Sequence, residues 1–453
     1  MEKDLGLCDL VFDYYESQIL FGCRKYGDRL PSIAKICDAY HLGRNTVRGA
    51  FDRLKEKGYI HARERRGYTV AYQGTLEDFE KNKAEYFAAR EAGIRDLIRT
   101  AEVLLAPFLE VVPEQAGLRG ETARRALNGA PFAAGALFRP PFENGLFTNL
   151  CWECLRYLRF LSFQQTKERP ASGAAALRQA LWADKAARGV GREELPRFIT
   201  RTCEKYQLEK TEQIPFRWTV YRRRPQLRYT LAANIIREIL RGQYLPGTFL
   251  PSLPEMAERY EVSLATARRT VAVLNALGVA RSCHGSGTKI CMDPAPLDAS
   301  SPDIQESMRL HRESLQIMVL TIRSSLLLTL GFAGKEQREQ LAQRLLEILS
   351  GGERILCFDA VISFICRECP SAMIRECYER LREFTVWGYV PALPRLKSDA
   401  YNDEYIVPLQ EMIRHLRQEE LTAFADDWQA MMTDKVQKQM DVDGVGGESP
   451  PDT

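Results

Sequence analysis

"LPSIAKICDAYHLGRNTVRGAFDRLKEKGYI" (residues 30–60) has a counterpart further along the same chain, "LPSLPEMAERYEVSLATARRTVAVLNALGVA" (residues 250–280). The two align without a gap at an offset of 220. Leu30, Pro31, Ser32, Tyr40, Thr46, Arg48, Leu54 and Gly58 recur as Leu250, Pro251, Ser252, Tyr260, Thr266, Arg268, Leu274 and Gly278. Upstream, Ile19, Leu20, Gly22 and Gly27 recur as Ile239, Leu240, Gly242 and Gly247, and downstream Gly67 recurs as Gly287. A fixed period with glycines in register is the mark of a duplicated structural unit.

Within each copy the signals follow one order. Leu10, Val11, Tyr14, Tyr15 and Ile19 are spaced as one face of a helix over about residues 8–22, which Gly22 ends. Ser32 stands at an N-cap position, and in the second copy Ser252 with Glu255 forms a capping box. A helix then runs to Tyr40, the turn "HLG" follows, and a third helix covers Arg44 to about Lys57 with Gly58 at its left-handed C-cap. Ser263 and Gly278 bound the matching helix of copy two. Two short extended pieces around a tight turn follow in each case, "YIHARERRGYTVAY" and "VARSCHGSGTKICM". Three helices and a hairpin make a winged helix-turn-helix, whose third helix can enter a DNA major groove.

Charge supports that reading. The chain of 453 residues carries a net +3, but residues 10–72 hold 12 Lys/Arg against 7 Asp/Glu and residues 222–291 hold 11 against 4. Basic charge concentrated in two copies of one module is an electrostatic footprint for phosphate. The third helix of copy one presents Arg44, Asn45, Thr46 and Arg48, and that of copy two presents Thr266, Arg268 and Arg269, with Leu264 and Ala265 where copy one has Arg44 and Asn45. Arg can pair with guanine and Asn with adenine in the major groove. The wing tips carry Arg65, Arg66 and Gly67 in one copy and His284, Gly285, Ser286, Gly287 and Lys289 in the other. Ser32, Ser252 and Ser263, at helix N-termini, complete the candidate DNA contacts.

These residues resemble the GntR family of bacterial transcription regulators over about 65 residues, twice. The family's recognition helix typically opens Ser-Arg-x-Thr-Val-Arg. Copy one reads Gly43, Arg44, Asn45, Thr46, Val47, Arg48, and copy two reads Ser263, Leu264, Ala265, Thr266, Ala267, Arg268, without the first arginine. An arginine common two residues after the Leu-Pro-Ser serine is Ala34 in one copy and Pro254 in the other. The Gly-x-Gly-Thr wing is present at Gly285 to Thr288, while copy one has Arg65 in place of the first glycine. The resemblance implies a double-stranded DNA operator as partner and transcription regulation as the role. It also implies companion domains that bind a small-molecule effector and dimerise.

The expected architecture is mainly α. Winged helix-turn-helix domains at 1–74 and 221–293, each of three helices plus a β-hairpin wing, alternate with all-α bundles at 75–220 and 294–440, and an acidic Gly/Pro-rich tail at 441–453 reads as disordered. Such a chain could form an internal pseudo-dimer, with a homodimer also open. Leu315–Phe332 is the most apolar run, but Arg323 at its middle suits a buried bundle helix better than a membrane span. The first residues lack a signal-peptide layout, and twelve cysteines then suit a reducing, cytoplasmic setting. No catalytic residues, cofactor or metal are expected: there is no phosphate loop, dinucleotide fingerprint or nucleophile elbow. A GntR subgroup uses an Asp and several His as metal ligands, yet residues 75–220 contain no His and only His311 and His415 lie in the second bundle. Cys151/Cys154 and Cys366/Cys369 leave thiol-based redox sensing or a thiolate metal site open as an alternative, beside small-apolar packing in helices. A winged helix used for protein interaction is the other alternative.

Overall fold

The apolar positions spaced along residues 8–22 face inward on helix α1, Leu5–Leu20, where Leu10, Val11, Tyr14, Tyr15 and Ile19 are all buried. They meet Val47, Ala50, Phe51 and Leu54 on α3, Arg44–Glu56, which follows α2, Ile33–Tyr40. The Phe51 ring stands edge-on to Tyr15 and Tyr68, with centroids 5.3 and 4.9 Å away. Strands β1, Ile60–Arg63, and β2, Gly67–Val70, pair antiparallel from Ile60↔Val70 to Arg63↔Gly67. This is the first winged helix. The computed structural model describes residues 5–40, 42–63, 67–104, 144–159, 190–220, 227–293, 301–351, 353–388 and 403–445.

The chain divides into two compact units, Met1–Arg222 and Arg223–Thr453. In the first, α4 (Leu76–Ala88) is opened by a capping box of Thr75 and Asp78. It packs with α7, Val190–Tyr206, beside α5, Glu91–Leu104, and α6, Gly145–Tyr157. The indole N–H of buried Trp218 donates to Asn149 at 3.0 Å.

The second unit repeats the winged helix with α8, Leu227–Leu240, α9, Leu253–Arg259, α10, Leu264–Ala276, and strands β3, Ala280–Cys283, and β4, Gly287–Ile290. The hairpin register Ala280↔Ile290 is that of copy one moved by 220 residues. Its bundle consists of α11, Pro302–Phe332, α12, Lys335–Ser350, α13, Leu356–Glu368, α14, Ala372–Thr385, α15, Ile406–Arg417, and α16, Leu421–Val445. Helix α16 runs to Val445, five residues into the stretch read as a disordered tail; Phe424, Trp428 and Met432, buried at a spacing of four, carry the helical pattern towards it. The rest of that stretch, 446–453, lies outside the described residues.

Helix α11 is long and apolar enough to cross a membrane by composition, and half of its most apolar window is buried inside the protein. Leu315, Met318, Ile322, Leu326 and Leu330 form a buried stripe, and α11 packs along α14 and α16. Two of its buried hydroxyls donate within the helix, Thr321 to the Ile317 carbonyl at 2.9 Å and Thr329 to that of Ser325 at 2.7 Å. Arg323 leaves that stripe and pairs with Asp426 of α16 at 2.5 Å.

Candidate nucleic-acid interface

Local chemistry fixes where each recognition helix starts and stops. Ser32 Oγ accepts from the Lys35 amide at 3.3 Å, and Ser252 and Glu255 exchange hydrogen bonds across the first turn of α9. Helix α10 is capped by Ser263, whose Oγ accepts from the Thr266 amide at 3.1 Å, whereas α3 starts at Gly43 with no side-chain cap. Gly58 and Gly278 end these helices at φ +73° and +69°, a conformation that costs a residue with a Cβ about 1 kcal/mol or more. The serine hydroxyls are thus occupied in capping, and their exposed helix N-termini are what could meet a phosphate.

The arginines of α3, with Lys57 just after it, divide into two sets. Arg53 pairs with Asp9 of α1 and stacks over Phe12, with 4.3 Å from guanidinium carbon to ring centroid, and Lys57 reaches Glu16 at 3.1 Å. Those charges hold the module together. Arg44, Asn45 and Arg48 are exposed on the opposite face, with Thr46 half-buried beside them, and among the described residues neither arginine makes an ion pair. In copy two Arg268 and Arg269 are likewise exposed and without an ion pair among the described residues. Thr266 is half-buried, and Leu264, standing where Arg44 does, is 48% exposed. An apolar side chain that open is a poor base reader but a tolerable neighbour for a thymine methyl.

The structure adds an asymmetry that single positions concealed. Lys35 is exposed at the third residue of α2, while the equivalent of copy two is Glu255, whose carboxylate folds onto Ser252. Its hydrogen bonds from the Ser252 hydroxyl and amide hold that carboxyl below its ordinary range, so it stays charged. A phosphate approaching α9 meets a negative group, and one approaching α2 meets a positive one.

At the wings, Gly67 takes φ +77° and its counterpart Gly287 +100°, and the Cβ of any other residue would be strained there. Gly285, Ser286, Gly287 and Lys289 are exposed together at the second wing. Arg65 and Arg66, read as the tip of the first wing, lie outside the described residues, as does the basic run Arg222–Arg224.

The thiol pairs sit differently from any reactive site. Cys151 and Cys154 are both buried, one turn apart on α6. Burial pushes the Cys151 thiol far up, and pushes Cys366 of α13 up to about 12. Cys369 caps the end of α13 and is buried. Reactive and metal-binding cysteines need thiolate, which these surroundings disfavour. Among the described residues no group of three or more His, Cys, Asp or Glu is placed to hold a metal ion.

Glu153, between the first two cysteines, is pushed up to about 7 by burial, which outweighs Arg156 at 3.4 Å. A carboxyl that holds its proton more tightly folded than unfolded loses stability as pH rises from about 4.3 through 7. Urea unfolding is expected to show the first unit losing up to about 2 kcal/mol between pH 5 and pH 8. Glu153→Gln should remove most of that slope; an unchanged slope would contradict it.

Residues 10–70 and 227–290 each match the bacterial regulatory proteins of the gntR family. The same family model thus matches the chain twice, in tandem. Over 64 residues it is 38% identical to the HTH-type transcriptional regulator YieP of Escherichia coli strain K12, a match that takes in 14% of this chain and 28% of YieP. The chain thus spans under a third of that curated relative's length. Similar solved structures include Streptococcus agalactiae GntR, at 20% identity over 47% of this chain and 99% of that one, TM-score 0.19. Another is Escherichia coli McbR/YncC, at 13% identity over 48% of this chain and 99% of that one, TM-score 0.27.

Proposed function

We propose that the chain is a transcription regulator that binds double-stranded DNA through both winged helices and acts as an internal pseudo-dimer responsive to a small ligand. The observation that carries this reading is the repeated recognition helix, exposed on one face and bearing arginines that no carboxylate of the described residues neutralises. A GntR-type dimer uses two such helices on half-sites about one helical turn apart. Two modules in one chain supply both at an effective concentration of roughly millimolar, independent of protein concentration. The residues assigned to contact are those named above, with Arg44 and Arg48 reading bases in copy one and Arg268, Arg269 and Lys289 holding phosphate in copy two.

Ligand response is supported by a cavity of about 40 Å³ in the second unit. It is lined by apolar Leu315, Met318 and Phe358 and by Arg237, His311 and Asp359, and it suits a ligand of only a few heavy atoms. Arg237 belongs to the first helix of the second winged helix, so an occupant would touch the DNA-binding module directly.

Native mass spectrometry on a duplex carrying two half-sites tests the arrangement. One chain per duplex is expected. Two chains per duplex would refute the pseudo-dimer, and no complex with any duplex at low salt would refute DNA binding itself.

A further inference from the structure

Each winged helix is fastened to the bundle of its own unit by ion pairs, and the two fastenings have opposite polarity. In the first unit the acids are on the winged helix. Asp13 of α1 takes the Arg156 guanidinium at 2.5 Å and Arg159 at 3.3 Å, and Glu16 takes Arg159 at 3.1 Å. Arg156 lies on α6 and Arg159 just beyond it, where its backbone carries φ +47° and its guanidinium covers the Tyr86 ring at 4.5 Å. In the second unit the bases are on the winged helix. Arg237 of α8, at 3.8 Å, and Arg241 just after it converge on Asp359 of α13. Arg382 of α14 closes on the same carboxylate from within the bundle at 3.1 Å.

The duplication makes this informative. Moved by 220 residues, Asp13 and Glu16 become Ala233 and Ile236, and Arg237 and Arg241 correspond to Ser17 and Phe21. The charged positions are therefore not inherited from a common fastening; each copy has its own. All the paired side chains are largely buried, with Glu16 and Asp359 only 8% exposed. Charges that withdrawn from water interact strongly and are costly to leave unmatched.

We propose that these two faces are interaction surfaces coded by charge, so that each winged helix is accepted by the bundle of its own half and refused by the other. By the register of the duplication, α1 set against the second bundle would bring Ser17 and Phe21 to Asp359 and leave Asp13 and Glu16 without Arg156 and Arg159. Likewise α8 set against the first would bring Ala233 and Ile236 to Arg156 and Arg159 and leave Arg237 and Arg241 without Asp359. Either exchange leaves largely buried charges unmatched, a cost of the kind that specific interfaces use against wrong partners. In a chain whose halves are permanently linked and share one ancestry, this disfavours pairing of a winged helix with the bundle of the unlike half, within one chain or between copies. The inference stands apart from DNA binding.

The full chain allows a direct test by moving the polarity of copy two into copy one. Hydrogen exchange is followed in residues 5–20, with residues 227–240 of the same molecule as an internal control. Asp13→Arg with Glu16→Arg is expected to raise exchange across residues 5–20 by about tenfold or more, with the control unchanged. Adding Arg156→Asp and Arg159→Asp, which gives the first bundle the charge of the second, should recover most of the lost protection. Unchanged exchange in the first variant would overturn the proposal. So would failure of the four-residue variant to recover while the control helix keeps its protection. Should the four-residue variant lose its helical circular dichroism, Arg156→Asp alone in the Asp13→Arg background gives the same comparison at one pair, and no recovery there counts against the proposal.

Discussion

Raising salt from 50 to 200 mM is expected to weaken binding of the chain to its duplex by about 4 × 10³-fold. Each phosphate neutralised by Lys or Arg releases condensed counterions, so the logarithm of affinity falls by about 0.9 per contact for each tenfold rise in salt. The exposed cations of the two modules, Lys35, Arg44 and Arg48 in one and Arg268, Arg269 and Lys289 in the other, suit about six to eight contacts with the first wing included. That gives a slope near −6, and a fourfold change in salt then yields the stated loss. Arg53 and Lys57 are left out of the estimate because Asp9 and Glu16 already hold them. Fluorescence anisotropy on a labelled duplex, with salt as the only variable, measures the slope. A slope shallower than about −3 would mean that only one module meets the DNA.

The second large effect concerns the inequality of the copies. Arg44→Ala together with Arg48→Ala should cost about 2–6 kcal/mol in binding, since a good bidentate contact to a base carries about 1–3 kcal/mol. The loss should be greatest on the preferred sequence and smaller on unrelated duplex, because base contacts specify while phosphate contacts only position. Leu264→Ala, at the position equivalent to Arg44, should leave base preference unchanged. Glu255 beside Ser252 in copy two, against Lys35 in copy one, points the same way. Binding to a panel of duplexes with each half-site altered in turn checks this. Equal shifts in preference from the two sets of substitutions would remove the asymmetry.

Much of what both expectations rest on is legible in the sequence. The caps at Ser32, Ser252 and Ser263, the C-cap glycines and the hairpin register follow from chemistry acting over a few residues. A hydroxyl that meets an orphan amide, or a glycine that alone tolerates a positive φ, announces itself in one sequence. The duplication strengthened each signal, because the same residue types returned at one offset. The buried face of α1 was likewise readable from its spacing, since a helix must hide its apolar stripe. The helix ends moved by one to three residues, from about 8–22 to Leu5–Leu20 and from Lys57 to Glu56.

Tertiary structure decided which charges are available. Arg48 and Arg53 look alike in sequence, five residues apart on one helix, yet Asp9 takes the second and leaves the first facing outward. The sequence likewise gave no sign that Asp13 would meet Arg156 across 143 residues, or that Asp359 would gather three arginines. Such pairs have no period and no fixed spacing, since they depend on which surfaces the packed helices bring together. The thiol pairs carry the same lesson, for identical Cys-x-x-Cys spacing cannot report desolvation, and only the packed helices push Cys151 and Cys366 up out of the reactive range. By itself the sequence determined the duplicated winged helix and its recognition face, because those signals are local and repeated. Only the fold decided which ionisable groups are partnered, since burial and charge pairing are properties of surfaces that distant segments build together.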